Sequence, residues 1–216
     1  MSTLDLILNK YKLPLTDYME IPNVGRDDLA VLVHELDFKV GVEVGVQRGM
    51  YSEIICKANP QMKVYGVDPW RMYPTAKATE TRTADATPQK DVDGWYQDTL
   101  RRMAIYPNYQ IIKESSMMGV KKFEDNSIDF VYIDADHGYN FVMEDISEWY
   151  KKLRKGGIIS GHDYYTIKEP RALMHVKKAV NDFVRKNQIK PLIIWGINAR
   201  IPGTIRDKWR SWSFIK

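Results

Sequence analysis

The residues that could do chemistry gather in three places along this 216-residue chain. Glu43-Val-Gly45-Val-Gln-Arg-Gly49 follows a valine-rich run, and Asp68 closes the next apolar run, Val64-Tyr-Gly-Val. Glycines at 45 and 49 allow positive φ and close approach of a ligand to the main chain, while a carboxylate at the following strand end is placed to accept ribose hydroxyls. Further on, Ile133-Asp134-Ala-Asp136-His137-Gly-Tyr139 puts an acid at the end of a buried-type run and an imidazole three residues later. A neutral histidine, with an ordinary pKa near ~6.5, can accept a hydroxyl proton, so His137 is the candidate general base and Asp134 its catalytic neighbour. The plainer alternative, that His137 caps a helix or bonds the sheet edge, stays open at this point.

These groups need elements to hold them. Leu29, Leu32, Val33 and Leu36 fall at helical spacing from Asp28, ahead of the strand from Phe38 to Val44. Met50, Ile54 and Ala58 predict a short helix whose N-terminus faces the glycine loop and which stops before Asn59-Pro60. A helix over Trp95 to Met103, strands at Tyr109-Gln-Ile-Ile and Ile128 to Asp134, and a helix carrying Val142, Ile146, Trp149 and Leu153 follow. Lys155-Gly156-Gly157 reads as the stop of that last helix, ahead of the strand Ile158-Ile-Ser-Gly. Pro170 opens a helix with Leu173, Val176, Val180 and Phe183 on one stripe, Pro191 to Gly196 is a strand, and Lys208 to Ile215 alternates as a half-buried strand does. Strands alternating with helices imply a mostly parallel sheet, the two late strands an antiparallel pair at its edge.

Which ligand the loop fits can be narrowed. A dinucleotide fingerprint ending at Gly49 needs glycines where Val44 and Val46 stand, and the Gly-Lys-Ser/Thr of a phosphate-cradling loop is absent. What remains, Glu43-x-Gly45-x-x-x-Gly49 with Asp68, resembles the first motif of the class I S-adenosylmethionine-dependent methyltransferases. The likeness continues through Asp134-Ala-Asp-His-Gly-Tyr139 to Leu153-Arg-Lys-Gly-Gly-Ile-Ile-Ser-Gly-His162-Asp163-Tyr164. In that part the chain looks like the small-molecule O-methyltransferase branch, the catechol-type enzymes and the antibiotic-sugar and cephalosporin-tailoring methyltransferases.

The resemblance implies a Rossmann-like, doubly wound α/β fold: a mostly parallel seven-stranded sheet with one antiparallel edge strand and helices on both faces. The chain itself divides into residues 1–28, where Pro14 and Pro22 interrupt short apolar groups as in an N-terminal extension or cap, and one methyltransferase domain, residues 29–216, whose irregular stretch at about 69–108 reads as a lid-like insertion or a plain surface loop. The resemblance also implies S-adenosyl-L-methionine as cofactor: Glu43, Gly45 and Gly49 hold its methionine part together with Asp134, Asp68 holds the ribose, and Ser115 or Ser116 meets the adenine edge. A simple helix cap is the other reading of the two serines. Resembling enzymes often hold a divalent metal with the aspartate at the Asp134 position and two residues after the next strand, here His162 and Asp163. Magnesium prefers an oxygen shell, so this mixed set suits manganese, iron, nickel or zinc at least as well, and a metal-free site is the alternative. The implied reaction is methyl transfer to a hydroxyl oxygen of a small molecule, sugar or phenol-like. A non-catalytic ligand-binding protein keeping this fold is the second reading.

Composition bounds the partners. Thirty-two Lys and Arg against 28 Asp and Glu leave a net charge of +4, scattered without a dense basic tract, so a nucleic-acid partner is not indicated. The Asn/Asp-Pro-Pro-Tyr/Phe motif of amino-methylating enzymes and the Pro-Cys nucleophile of cytosine-ring enzymes are also missing. No apolar run reaches the ~18 residues of a membrane span, Met1-Ser-Thr-Leu-Asp does not read as a secretory signal, and the single Cys56 excludes an intrachain disulfide, so a cytoplasmic setting is expected. A homo-oligomer is left open. His34 and His175 sit on expected helices without partners and read as structural or exposed.

Overall fold

The computed structural model describes residues 1–71, 87–166, 175–196 and 210–216. Residues 72–86 of the expected insertion at about 69–108 therefore lie outside the described residues, as do Pro170 and Leu173.

Among the described residues, eight strands make one sheet: β1 (Tyr18–Ile21), β2 (Val40–Val44), β3 (Lys63–Val67), β4 (Tyr109–Ile112), β5 (Ile128–Ile133), β6 (Leu153–Gly161), β7 (Leu192–Trp195) and β8 (Ser211–Ile215). Their order is β1-β7-β8-β6-β5-β2-β3-β4, parallel except where β8 runs against both β6 and β7. The Rossmann-like, mostly parallel architecture is as expected, with two corrections. The sheet has eight strands, because Tyr18–Ile21 of the N-terminal segment pairs in parallel with β7. For the same reason the antiparallel strand β8 is interior, flanked by β6 and β7, not an edge strand. Its burial follows: Ser211, Trp212, Ser213 and Phe214 are all buried, so the alternation of its sequence marks two covered faces of different polarity, not one dry and one wet.

Helices cover both faces. The apolar face of α1 (Thr3–Tyr11), α2 (Arg26–Glu35) and α3 (Met50–Ala58) packs with Phe130, Tyr132, Ile193 and Trp195 on one side. On the other, α6 (Tyr139–Lys152) and α7 (Val176–Lys186) pack on Val131, Ile133, Ile194 and Phe214. Two further α-helices among the described residues are α4 (Gln89–Met103), which starts six residues earlier than its apolar spacing suggests, and the single turn α5 (Ser116–Gly119), which runs on into a 3-10 turn over Val120–Lys122. In α3 the stripe is shifted one place from the expected one: Tyr51, Ser52, Ile55 and Cys56 are buried, while Met50 is 50% exposed.

The expected glycine stop of α6 is also corrected. The helix ends at Lys152 and the chain is already strand at Leu153, which pairs with Ile128 before the register jumps to Ile158 opposite Phe130. Gly156 at φ 78° and Gly157, whose added Cβ would lie 2.8 Å from the Asp129 carbonyl, let β6 bulge there. Asp129 holds the bulge, accepting hydrogen bonds from the amides of Lys39 and Val40, both 2.8 Å, and from Arg154.

Ile146 of α6 is fully buried against the sheet. Truncation to Ala should cost about 2–5 kcal/mol from lost burial and the cavity left behind. Urea unfolding monitored by circular dichroism measures it; a loss under ~1 kcal/mol would mean that α6 is not packed as described.

Candidate functional site

In open α/β sheets a ligand sits outside the carboxyl ends of the strands, and the chemistry-bearing residues of this chain meet there. Gly45 leaves β2 at φ 87°, and a Cβ on it would lie 2.2 Å from the carbonyl oxygen of Asp134 at the end of β5. No side chain can be accommodated, so the loop after β2 packs main chain to main chain on the β5 end. Gly49, at φ 73°, then turns the chain into α3. Asp68 fixes the loop from the other side: its Oδ2 accepts from the amides of Val46 and Gln47, both 2.9 Å, and its Oδ1 from the Trp70 amide at 2.7 Å. The Trp70 indole donates back to the Gln47 carbonyl at 2.7 Å. Burial pushes the Asp68 carboxyl up, against the pull of these three amides.

Glu43 is 2% exposed, beneath the loop. Ser52 of α3 donates to it and sits 2.9 Å from the Tyr109 hydroxyl, and burial, opposed by the Ser52 bond, takes its carboxyl up to about 8. Ser115 caps α5 without a side-chain capping bond, whereas the Ser116 hydroxyl donates to Asp145 and accepts from the Trp149 indole at 2.9 Å. The two serines thus differ: Ser116 is tied to α6 and Ser115 is not.

The second half of the site is a cluster of two acids and two histidines. His137 Nε2 lies 2.9 Å from Asp163 Oδ2 and 3.9 Å from Asp134 Oδ1; His162 Nδ1 lies 3.5 Å from Asp163 Oδ1 and 3.8 Å from Asp134 Oδ2. One donor atom each from Asp134, His162 and Asp163 falls within 4.8 Å of the others. Asp163 is held at φ 60°, a left-handed conformation rare outside glycine that turns its carboxylate into the cluster. A cavity of about 10 Å³, room for roughly one water-sized sphere, lies among these four side chains, with Val142 and Trp212 on its apolar side.

The electrostatics of the cluster are one-sided. Burial pulls the His137 pKa down, but the carboxylates of Asp134 and Asp163 outweigh it and take it up to about 10. Burial likewise opposes ionisation of Asp163, yet its contacts with His137 and His162 hold it well below the usual carboxylate range. The two carboxylates thus favour the protonated form of His137, and a proton taken up there is held between Asp134 and Asp163. Arg26, the first residue of α2, completes the group: its Nη1 is 3.6 Å from Asp134 Oδ2 and its guanidinium lies over the Tyr51 ring. Nothing in the local sequence marks Arg26, since only the fold brings the start of α2 to the end of β5.

The remaining candidates lie elsewhere. His34 is exposed on α2, and His175 is exposed at the start of α7, where its amide donates to the His137 carbonyl at 2.8 Å. Of the aromatics near the strand ends, Trp70 and Tyr164 are 2% and 1% exposed and pack as core. Among the described residues no helix is long and apolar enough to cross a membrane.

A glycine loop stapled to the acid of the next strand, on a mostly parallel sheet wrapped by helices, defines a Rossmann-like fold with a nucleotide-type ligand site. The family model described as a methyltransferase domain matches residues 42–164, more than half of the chain, and the chain belongs to that family. Among solved structures, the O-methyltransferase TomG from Streptomyces achromogenes, in complex with S-adenosylmethionine, is similar at a TM-score of 0.59 with 12% identity over 97% of this chain and 86% of that one. An O-methyltransferase from Bacillus cereus, in complex with S-adenosylhomocysteine, is similar at 0.59 with 14% identity over 99% and 90%. Among curated proteins, uncharacterized protein R132 of Acanthamoeba polyphaga mimivirus is 40% identical over 58 residues, which cover 26% of this chain and 26% of that protein's length.

Asp145 is buried on α6, and burial, opposed by the Ser116 bond, pushes its carboxyl up to about 7. The ordinary value is ~3.9, so between these limits the folded chain holds a proton that the unfolded chain has released, and stability falls as pH rises through that window. Thermal melts from pH 4.5 to 7.5 should show this fall, and Asp145→Asn should flatten it; the raised carboxyl of Glu43 adds a slope of the same sign, so the difference between the two proteins isolates Asp145. Parallel pH profiles for the two would refute the assignment.

Proposed function

We propose that this methyltransferase is S-adenosylmethionine-dependent and methylates a hydroxyl oxygen of a small molecule, sugar or phenol-like. The observation that carries this reading is the Gly45 loop, packed main chain on main chain against Asp134, so that the candidate donor site adjoins the Asp–His cluster. Methyl transfer from a sulfonium to oxygen is an in-line displacement, which asks the protein mainly for alignment and for removal of the nucleophile's proton. Gly45 and Gly49 give the methionine end of the cofactor room, with Glu43 supporting the loop through Ser52. Asp68 retains lone pairs for the ribose while it pins the loop, and Ser115 has the hydroxyl for the adenine edge. Arg26 presents a cation where the cofactor's carboxylate would lie. Asp134 and His137 face the acceptor side and handle its hydroxyl. The TomG and Bacillus cereus complexes support the same cofactor for this chain.

A divalent metal fits the cluster. Asp134, His162 and Asp163 converge on one point, and the buried His137 Nε2 beside them has no hydrogen-bond partner among the described residues. These residues would hold the ion, whose chemistry is to lower a hydroxyl's pKa and orient it. The chain's own contribution is to hold the hydroxyl in line with the methyl group and to keep water away with Val142, Val176 and Trp212.

Calorimetry with S-adenosylhomocysteine should show one site per chain, weakened at least ~10-fold by Asp68→Ala through loss of ribose and loop contacts. His137→Ala should leave that affinity within about threefold while lowering turnover of an accepted phenol or sugar by ~100-fold or more. An absence of S-adenosylhomocysteine binding at high micromolar ligand would sink the proposal.

A further inference from the structure

We propose that the ion pair of Glu20 with Arg210, from two stretches outside the matched residues 42–164, is a positioning device for the acceptor side of the site: it holds the turn from His162 to Tyr164 and, through it, the Asp163 carboxylate. This rests on the reading above that the acceptor's hydroxyl is handled at the Asp–His cluster.

The Asp163 carboxylate depends on an unusual turn. At φ 60° the residue is left-handed, a conformation that persists outside glycine only where the surroundings impose it. The surroundings here are β8 and α7. The Trp212 indole donates to the His162 carbonyl at 3.2 Å, the Tyr164 amide donates to the Arg210 carbonyl at 2.8 Å, and the Tyr164 hydroxyl donates to Asn181 Oδ1 at 2.8 Å. The bond to Arg210 comes from the residue directly after Asp163. Where the Arg210 main chain goes, the turn must follow.

What holds Arg210 is the N-terminal strand. Its Nη1 donates to Glu20 Oε1 at 2.7 Å, the same oxygen accepts from the Tyr18 hydroxyl at 2.7 Å, and the guanidinium lies 5.8 Å from the centre of the Tyr164 ring. Glu20, Ile194, Trp212 and Gly161 are register partners in one row across β1, β7, β8 and β6, and His162 follows Gly161. The pair therefore reaches over β7, from the outer strand to the residues that clamp the cluster.

A charge pair is a poor choice where only stability is wanted. The Arg210 side chain is 7% exposed, and taking a guanidinium out of water offsets most of what its partner returns, so apolar pairs of like volume are often as stable or more so. Ile194 in the same row, and Trp212 and Phe214 on β8, are apolar and fully buried. What a planar fork supplies instead is direction: aimed at one carboxylate, it sets where Arg210 sits.

The test replaces both partners in the full chain, Glu20→Leu with Arg210→Met. The melting temperature should stay near that of the wild type or rise, and S-adenosylhomocysteine affinity should stay within about twofold, since the donor loop lies on the other side of the Gly45–Asp134 contact. Exchange of the Tyr164 amide, followed by NMR, should quicken at least ~10-fold. The 15N resonances of the His137 imidazole, which report its 2.9 Å approach to Asp163, should shift. Turnover of the same accepted phenol or sugar should fall at least ~10-fold, in kcat more than in KM. Glu20→Gln keeps an oxygen for the Arg210 fork and should match the wild type in exchange and in the imidazole resonances. Arg210→Lys keeps the charge and loses the fork, and should show both changes at smaller size. An unmoved Tyr164 amide, unmoved imidazole resonances, unchanged turnover, or a melting temperature that drops in step with them would each overturn the proposal. S-adenosylhomocysteine separates the two readings: no binding to the wild type defeats the methyl-donor assignment, while the amide and imidazole measurements need no ligand and judge this inference alone.

Discussion

The contact on which the rest of the site depends is that of Gly45 with Asp134, two pieces of main chain from neighbouring parallel strands with no space between them for a methyl group. The Asp134 amide bonds the Val44 carbonyl at 2.8 Å and the Gly45 amide bonds the Val67 carbonyl at 2.9 Å, so the ends of β5, β2 and β3 are locked in a row. From that row the donor loop leaves in one direction and the Asp–His cluster in the other. Their separation is set by backbone hydrogen bonds and not by side-chain rotamers, which is the kind of rigidity an in-line displacement needs.

Acids are concentrated at this edge. Glu43, Asp68, Asp134, Asp145 and Asp163 all lie at or beneath it, and the protein treats them in three ways. Glu43 and Asp145 are buried beside serine hydroxyls, where the neutral form is favoured. Asp68 takes its hydrogen bonds from backbone amides. Asp134 and Asp163 instead face the side chains of Arg26, His137 and His162. Only the last pair carries negative charge that mobile groups can compensate.

How much of this the sequence disclosed follows from the range of the interactions. Strands ending in a glycine loop or in an acid were legible because their signals are local: a run of apolar residues, a Gly, a carboxylate. The convergence of Asp134, His137, His162 and Asp163 was suggested by the likeness of ordered motifs, although spacing alone could not have placed residues 134 and 163 in contact. Arg26 was invisible, since its partner is 108 positions away in the chain. The shift of the His137 pKa is hidden from the sequence for a related reason, because an ordinary value holds only until the neighbours are known. The glycines at 156 and 157 misled in the opposite sense: a helix stop and a strand bulge ask for the same residue, and only the pairing of Leu153 with Ile128 tells them apart.

The parallel strand β1 has a meaning beyond topology. Leu192-Ile-Ile-Trp195 is a short, uncharged, fully buried segment of high β-propensity, and without Tyr18–Ile21 beside it one flank of unpaired backbone would face solvent. Segments of that composition recruit copies of themselves into cross-β stacks. The N-terminal segment therefore acts as a guard against self-association, presenting a four-residue outer strand with Glu20 on it in place of an aliphatic template, and a chain that lost Tyr18–Ile21 would bare that template.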